Sequence, residues 1–485
     1  MKKKRRILYL TTEAAPFNPD SLLAELSRHL PKIFRTQGHD IRVVMPKYSF
    51  IRDRKYNLRE VIRLREIPVP LRGILEWVSV KSGFIPDTRV QVYFLENEKF
   101  FEREGVINDP ATGKPYPDND ERFIVFTRAV VEMLKILSWQ PQIIHATDWT
   151  SGMVSFYLRK LYAKDKYYEP TRTVLSLVNC ENIASFTKST VFKAGIDPDS
   201  FEKGCDIELK GKFSFLKPAI MYSDVITTCG EGARSILPSD IRKWMSDYKK
   251  EHPEKFFNHF LGIDHSYWNP DKDEKIAANF SNKDLSGRNR NKALLVEKYS
   301  LEMDESAPLI GCIWDGGDFS ALLPALEYIK SIGAALVIAD KSASEDAAVE
   351  FVKNAPGKIG AVKLLTGLTI KQLISGTDIM LLHPGKYREQ MHYKAMRYGS
   401  IPVAPNYGNY GDNIVDDADE GNGFLYKHNN PESMINALKK AVEMFRDEKN
   451  WTELMKRAMK LDVTWNRTSV GFSEVFDTLI GSEEE

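Results

Sequence analysis

Charged and hydrogen-bonding side chains gather in the segments that follow predicted strands. Asp148 comes directly after the apolar run QIIHAT, and Asn179 follows RTVLSLV. A further set occupies one loop and the start of the next helix: Lys386, Arg388, Glu389 and His392. Cations grouped in one loop, with a carboxylate and an imidazole among them, could hold an anionic ligand such as a phosphate. A solvated rim is the alternative interpretation of this basic loop.

Two further segments carry glycine and aspartate. Gly408 and Asp412 follow the apolar run SIPVAP. A glycine lets backbone N–H groups approach a ligand closely, whereas Asp412 could either bind a ligand or cap a helix. The segment CIWDGGDFS contains Asp315 and Asp318 and no cation. Two carboxylates alone are weak evidence for a metal, so we predict no metal site.

The elements that would position these side chains alternate along the chain. Short apolar runs such as RILYL, IRVVMP, TVLSLV and SIPV are separated by amphipathic helical stretches. Strict alternation of strand and helix predicts parallel sheets. Ligands of such sheets lie beyond the carboxyl ends of the strands. We therefore predict an α/β protein in which two doubly wound, Rossmann-like domains face a central cleft.

The length of the chain supports more than one domain. Its 485 residues exceed a single typical hydrophobic core. Proline and polar residues cluster in DHSYWNPDKDE, which predicts a hinge there. The predicted divisions are 1–265 for the first domain, 266–460 for the second, and 461–485 for a C-terminal helix and acidic tail.

Composition and charge exclude several classes of function. A net charge of +1 gives no nucleic-acid or membrane signal. The apolar run Ile7–Leu10 is too short for an export signal, and we find no run long enough to span a bilayer. The four cysteines are widely spaced without a CxxC motif, which indicates free thiols in a reducing compartment. We expect a cytoplasmic protein without a cofactor.

Several segments, in one order along the chain, resemble the bacterial glycogen synthase and starch synthase family. Among them are TEAAPF, QIIHATDWTSGMV, FSFLKPAIMYSDVITT, GIDHSYWNPDKDEKI and AMRYGSIPVAP. The resemblance implies the GT-B fold, with C-terminal helices crossing back to the first domain. It also implies transfer of glucose from ADP-glucose to an α-1,4-glucan with retention of configuration. An α-glucan and a sugar nucleotide are then the expected ligands.

The positions that carry the family's chemistry hold other residue types in this chain. The resemblance implies a lysine in the first loop, a histidine before the Asp-Trp pair, an arginine and a lysine after the first strand of the second domain, and a carboxylate in the basic loop. Those positions hold, in order, Pro19, Thr147, Cys312, Gly317 and Lys386. A departing diphosphate needs cations beside it. These replacements therefore predict that the parent chemistry is lost.

Two neighbouring features have structural interpretations. The segment PDSLL stands where the family has its first glycine pair, and it is typical of a helix start capped by Asp20 or Ser21. His145 lies two residues before Thr147 in the strand-forming segment. We predict that His145 packs at the strand end.

Three functional hypotheses remain open. The preferred one is a catalytically inactive homologue that binds α-glucan, a partner enzyme or a second copy of itself. The second is an active glycogen synthase that uses ADP-glucose. The third is a glycosyltransferase with a changed donor, built around Lys386, Glu389 and His392.

Overall fold

A computed structural model describes residues 4–18, 21–179, 183–229, 237–314, 322–340, 359–363, 367–383 and 390–481. The chain forms two compact units. Unit 1 comprises Met1–Cys229, Ile236–Phe260 and Thr468–Glu485. Unit 2 comprises Gly230–Ser235 and Leu261–Arg467.

Unit 1 is built on a ten-stranded sheet of described residues, with a separate three-stranded sheet beside it. Its strands are β1 (Arg6–Leu10), β2 (Asp40–Pro46), β3 (Arg59–Glu60), β4 (Ile67–Leu71), β5 (Ile74–Phe84), β6 (Gln91–Glu96), β7 (Ile143–Thr147), β8 (Arg172–Leu177), β9 (Ser185–Phe186), β10 (Glu208–Leu209), β11 (Lys212–Ser214), β12 (Val225–Thr228) and β13 (Phe256–Asn258). Its helices up to residue 251 are α1 (Leu22–Thr36), α2 (Asp53–Tyr56), α3 (Glu98–Phe101), α4 (Asn119–Leu137), α5 (Asp148–Lys160), α6 (Ser189–Lys193), α7 (Leu216–Tyr222) and α8 (Ser239–Glu251).

Strand β1 lies inside the large sheet. The order is β13-β12-β8-β7-β1-β2-β6-β5-β3, with β4 paired to β5, and the strands from β13 to β6 run parallel. Four successive residues of β1, Ile7 to Leu10, are fully buried, as expected for a strand covered on both faces. The apolar runs identified in the sequence thus form the parallel core that was predicted.

Strict alternation of strand and helix was a wrong prediction for residues 59–84. Strand β5 pairs antiparallel with β3, β4 and β6. The two residues between β4 and β5, Arg72 and Gly73, have φ of 55° and 77°. Positive φ at both central residues is the requirement of a tight hairpin turn whose twist matches that of the strands. Arginine rarely adopts this conformation, so Arg72 followed by Gly73 is only a weak turn signal in the sequence.

Unit 2 is built on a six-stranded parallel sheet of described residues. Its strands are β14 (Leu309–Trp314), β15 (Ala335–Asp340), β16 (Ile359–Lys363), β17 (Ile379–Leu382), β18 (Ile401–Pro405) and β19 (Phe424–Tyr426). The order is β16-β15-β14-β17-β18-β19. Its helices, with the last one, are α9 (Ser286–Lys298), α10 (Leu323–Ser331), α11 (Gly367–Gly376), α12 (Met391–Arg397), α13 (Gly408–Asn413), α14 (Pro431–Phe445), α15 (Glu448–Lys460) and α16 (Trp465–Ile480).

The final helix returns the chain to unit 1, as the family resemblance implied. From Thr468 onward, α16 belongs to unit 1. Its Phe472 and Phe476 rings lie 5.1 and 5.9 Å from the His145 ring, measured between centroids. None of the helices in the described ranges is long and apolar enough to cross a membrane.

Candidate functional site

Each sheet has a point where the strand order reverses, and this point predicts where a ligand binds. In unit 1 the chain proceeds outward from β1 through β2 on one side and through β7 on the other. In unit 2 the corresponding neighbours are β14 and β17. Ligands of doubly wound sheets bind beyond the carboxyl ends of the strands at such points. The loops after β1 and β7, and after β14 and β17, are therefore the segments that matter.

Asp148, at the end of β7, closes the loop that follows β8. Its Oδ1 accepts hydrogen bonds from the backbone N–H of Val178 at 2.7 Å and of Asn179 at 3.0 Å. Asp148 is buried and has φ of 54°, an uncommon conformation for a residue other than glycine. Burial raises the pKa of its carboxyl from 3.8 to about 7, against the lowering effect of the two N–H donors. Asp148 thus fixes the positions of two loops.

Glu13 is a second buried acid at this edge, and the sequence analysis did not single it out. It follows β1, and its Oε2 accepts a hydrogen bond from the Ser21 hydroxyl at 2.5 Å. Burial raises the pKa of the Glu13 carboxyl, while the Ser21 bond lowers it. The charge of Glu13 also contributes to the raised pKa of Asp148. The loops after β1 and β7 thus supply two buried acids whose carboxyl pKa values are raised.

Ser21 confirms the predicted helix start at PDSLL. It is the N-cap of α1, and its side chain accepts a hydrogen bond from the Ala24 N–H at 3.0 Å. Leu22 is the first helical residue and is half-buried. Pro19, the residue at the family's lysine position, lies outside the described residues.

Thr147 occupies the position of the family's histidine and is fully buried. Its hydroxyl donates to the Leu10 carbonyl at 3.1 Å, which joins β7 to β1. Its backbone N–H donates to the Ser151 hydroxyl at 2.7 Å. The Thr147 hydroxyl is therefore already engaged in a hydrogen bond that links β7 to β1.

His145 packs inside unit 1, as predicted. Its ring lies 4.8 Å from that of Tyr9, and its Nε2 is 2.6 Å from the Ser176 hydroxyl. Burial lowers the pKa of His145 to about 3, with a smaller contribution from His259. The ring is neutral at physiological pH and acts as a core residue.

Asn179 lies at the start of the loop after β8. Its backbone N–H also lies 3.1 Å from Asp148 Oδ2, and the residue is half-buried. The structure thus brings two of the predicted site residues, Asp148 and Asn179, into direct contact.

His392 is the predicted site residue that the structure describes most fully in unit 2. It is the second residue of α12 and is fully buried, so the solvated-rim interpretation is wrong for this side chain. Among the residues that the structure describes, neither ring nitrogen has a hydrogen-bond partner. Its ring lies 4.0 Å from that of Tyr393 and 5.3 Å from that of Tyr410. Burial lowers the pKa of His392 to about 3, and Lys394 adds to this.

Two buried amides close to His392 in sequence or space each have a side-chain oxygen without a hydrogen-bond partner in the described part of the chain. Gln390 precedes α12, and its Oε1 has no hydrogen-bond partner. Asn409 adjoins Tyr410, which contacts the His392 ring, and the Oδ1 of Asn409 also has no partner. Buried polar atoms without partners are rare in folded proteins and call for an explanation such as an unseen ligand or water. The sequence analysis identified neither amide.

The second segment of predicted site residues in unit 2 forms a short helix. Gly408 is the first residue of α13 and has φ of 60°, which explains the need for glycine. Asp412 is the fifth residue of this helix, and Tyr407 occupies the N-cap position. The prediction that Asp412 could cap a helix was therefore wrong.

Cys312 does not lie after a strand, contrary to its assignment to the family's arginine position. It lies inside β14, pairs with Ile338 and Leu381, and is fully buried. Strand β14 ends at Trp314, so a position that follows the strand comes after that residue in the sequence. The remaining assigned positions lie outside the described residues: Gly317, Lys386, Arg388 and Glu389.

No cluster that could hold a metal occurs among the described residues. Groups of three or more histidine, cysteine, aspartate or glutamate side chains with suitable placement are absent there. Cys205, Cys229 and Cys312 are free thiols. The candidate site residues that the structure describes therefore carry buried carboxyl, imidazole and amide groups.

Comparison with known proteins identifies the family. The starch synthase catalytic domain profile matches residues 6–236. The chain is 30% identical to a glycogen synthase of Chlorobaculum parvum, over 99% of this chain and 100% of that protein. It is 32% identical to a glycogen synthase of Geotalea daltonii, over 99% of both chains.

The fold agrees with this sequence similarity. The catalytic domain of starch synthase IV from Arabidopsis thaliana, solved with ADP and acarbose bound, superposes with a TM-score of 0.81. That match covers 99% of this chain and 100% of the other at 23% identity. The predicted GT-B fold is thus confirmed, and the chain belongs to the glycogen synthase and starch synthase family of glycosyltransferases.

Proposed function

We propose that this chain is a glycogen synthase family protein that has lost transfer from ADP-glucose and binds α-glucan in the cytoplasm, in a regulatory or partner-binding role. The observation that carries the proposal is the environment of Thr147. Its buried hydroxyl is bound to Leu10, at the position where the resemblance implies a histidine at the reaction centre. A threonine hydroxyl supplies neither the charge nor the proton chemistry of an imidazole at neutral pH.

The electrostatics of the same edge support loss of diphosphate chemistry. Among the described residues, the titratable groups that the loops after β1 and β7 contribute are Glu13 and Asp148. At ~4 Å and an effective dielectric of ~20, one ionised carboxylate and one phosphate charge repel by about 4 kcal/mol. Developing negative charge on a leaving group needs preorganised donors or cations instead. In their ionised forms both acids disfavour a diphosphate at this edge, and in their neutral forms neither supplies the positive charge that a leaving diphosphate needs.

Isothermal titration calorimetry tests the binding half of the proposal. We expect saturable heat with maltoheptaose and none with ADP-glucose at millimolar concentrations. The glycogen synthase of Geotalea daltonii, measured in the same buffer, is the matched positive control for ADP-glucose. Saturable ADP-glucose binding to this chain in the range of that enzyme would contradict the proposal.

A second candidate function rests on His392. Its two ring nitrogens, Gln390 Oε1 and Asn409 Oδ1 are buried and unpartnered. Polar atoms in this state could recognise a different sugar nucleotide, which would make the protein a transferase with a changed donor. Under this alternative UDP-glucose gives saturable heat that His392→Ala abolishes. The same titration with Lys386→Ala tests the basic loop. Absence of heat with both nucleotide sugars removes this candidate.

A further inference from the structure

The hairpin formed by β4 and β5 carries an exposed apolar surface. Directly paired residues of antiparallel strands share a face, and the register pairs Pro68 with Trp77 and Pro70 with Leu75. Trp77 and Leu75 are 54% and 52% exposed. On the other face of the hairpin, Val69 and Val78 are fully buried in the core. We call the outer surface, made of Pro68, Pro70, Leu75 and Trp77, the hairpin platform.

Polar side chains continue this face beyond Trp77. Side chains alternate along a strand, so Ser79 and Lys81 lie on the same face as Trp77. Ser79 is paired with Glu96, whose side chain shares that face. An apolar ring is thus followed along β5 by a hydroxyl and then by charged groups.

The charged groups of this face neutralise one another. Lys81 Nζ lies 2.6 Å from Asp53 Oδ2 and 2.8 Å from Glu96 Oε1. Lys47 Nζ lies 3.3 Å from a carboxylate oxygen of each of the same two acids. Two cations therefore balance two anions. The face has no local excess charge to attract a phosphate, an anionic lipid headgroup or a strongly charged peptide.

An open polar cavity adjoins the hairpin. The Asn97 side chain donates a hydrogen bond to the Trp77 carbonyl at 2.9 Å. Asn97 also lines an open cavity of about 590 Å³, together with Glu98, Lys99 and Arg103. Amide, ammonium and guanidinium groups give it donors for hydroxyl oxygens.

We propose that the hairpin platform is a glucan-binding site in which Trp77 stacks on a pyranose ring. A pyranose is uncharged, presents apolar C–H faces and is rimmed by hydroxyl groups. Those properties match an exposed indole followed by a hydroxyl and by mutually neutralised charges. The inference rests on the proposed binding of α-glucan and assigns it a location on β4 and β5. The site would hold the protein on the polymer.

Trp77→Ala tests the site, with Phe84→Ala as the matched control. Phe84 lies on the same strand, is 57% exposed, and points to the opposite face because it is seven residues from Trp77. Binding is measured by affinity electrophoresis in gels containing glycogen and by calorimetry with maltoheptaose. We expect Trp77→Ala to weaken binding about tenfold, Trp77→Tyr to restore most of it, and Phe84→Ala to leave it within about twofold. Urea unfolding midpoints of all variants verify that each is folded.

Other outcomes overturn the assignment. If Trp77→Ala binds glycogen as tightly as the wild type, the platform is not the site, although the proposed glucan binding stands. If the wild type itself binds neither glycogen nor maltoheptaose, the proposed function and the site are both wrong. A dimer in sedimentation velocity that Trp77→Ala abolishes, with glucan binding unchanged, would identify a second copy of the chain as the occupant.

Discussion

Replacing Asp148 with asparagine should change how the stability of unit 1 depends on pH. Asparagine keeps an oxygen that can accept from the backbone N–H groups of Val178 and Asn179. It removes the ionisable group that lies buried among the loops. The amide does not ionise, so its own effect on the free energy of unfolding is the same at every pH. The part of the difference that varies with pH therefore comes from the Asp148 carboxyl alone.

The size and direction of the effect follow from the raised pKa of Asp148. In the folded protein the carboxyl has a pKa of about 7, against its ordinary 3.8 in an unfolded chain. Between these values the folded state binds more protons, so the contribution of Asp148 to the free energy of unfolding falls as pH rises. At ~1.4 kcal/mol per pKa unit, the loss amounts to about 4 kcal/mol between pH 4 and pH 8. Below pH 4 and above pH 8 the contribution is constant.

Buried histidines act in the opposite direction. His145, His259 and His392 each have a pKa lowered to about 3, chiefly by burial. Their unfolded forms bind protons below about pH 6.5, so their contribution to stability is lost as pH falls. The wild-type curve mixes both trends. The informative quantity is therefore the difference in unfolding free energy between Asp148→Asn and the wild type.

Urea unfolding, followed by tryptophan fluorescence at half-unit steps from pH 4.5 to 8.5, measures this difference. Asp148→Asn should gain up to about 4 kcal/mol relative to the wild type across that range. Asp87→Asn, at an exposed position of the same unit, is the control and should show no such slope. A difference that stays constant with pH, or that falls as pH rises, would refute the argument that Asp148 is held in a desolvating environment.

Three further predictions concern single side chains. Ser21→Ala should lower the free energy of unfolding by about 1 kcal/mol in urea titrations, because α1 loses its cap, whereas Ser21→Asn should recover most of that loss. His145→Gln should reduce, by up to about 4 kcal/mol, the free energy of unfolding that unit 1 loses between pH 6.5 and pH 3. The reason is that the folded state then no longer excludes a proton from a buried imidazole at this position. An unchanged acid midpoint would contradict this prediction. Arg288→Met should destabilise unit 2 by about 3 kcal/mol. The Arg288 guanidinium donates hydrogen bonds to the Thr377 carbonyl, at 2.6 Å, and to the Tyr398 carbonyl, and methionine can make neither. Hydrogen exchange of β17 and β18 would locate that loss, and protection equal to the wild type would count against it.

Local patterns in the sequence were sufficient to predict most of the parallel framework. Apolar runs covered on both faces, such as Ile7–Leu10, became central strands because they can be buried only within a sheet. A serine before an amphipathic run predicted the cap at Ser21.

Tertiary context determined what these patterns could not predict. Arg72 adopts positive φ in the hairpin turn, and a glycine following an arginine is a weak turn signal. Cys312 was assigned to the family's arginine position by resemblance alone, whereas in the structure it lies inside β14, which continues to Trp314. Burial of Glu13 depends on how the loop after β1 packs in the folded chain. No spacing of residues in TTEAAPF indicates that its carboxyl would be withdrawn from water.

Transfer of radiolabelled glucose from ADP-glucose to a glycogen primer tests the central claim most directly. The wild-type chain and the glycogen synthase of Geotalea daltonii are assayed side by side at equal concentrations. Loss of each preorganised group commonly costs about 10² to 10³ in rate. If two or more such groups are lost, as we propose, incorporation should be at least ~10⁴-fold below that of the control enzyme. Incorporation within about tenfold of the control would show that the parent chemistry survives and that Thr147 is no obstacle to it.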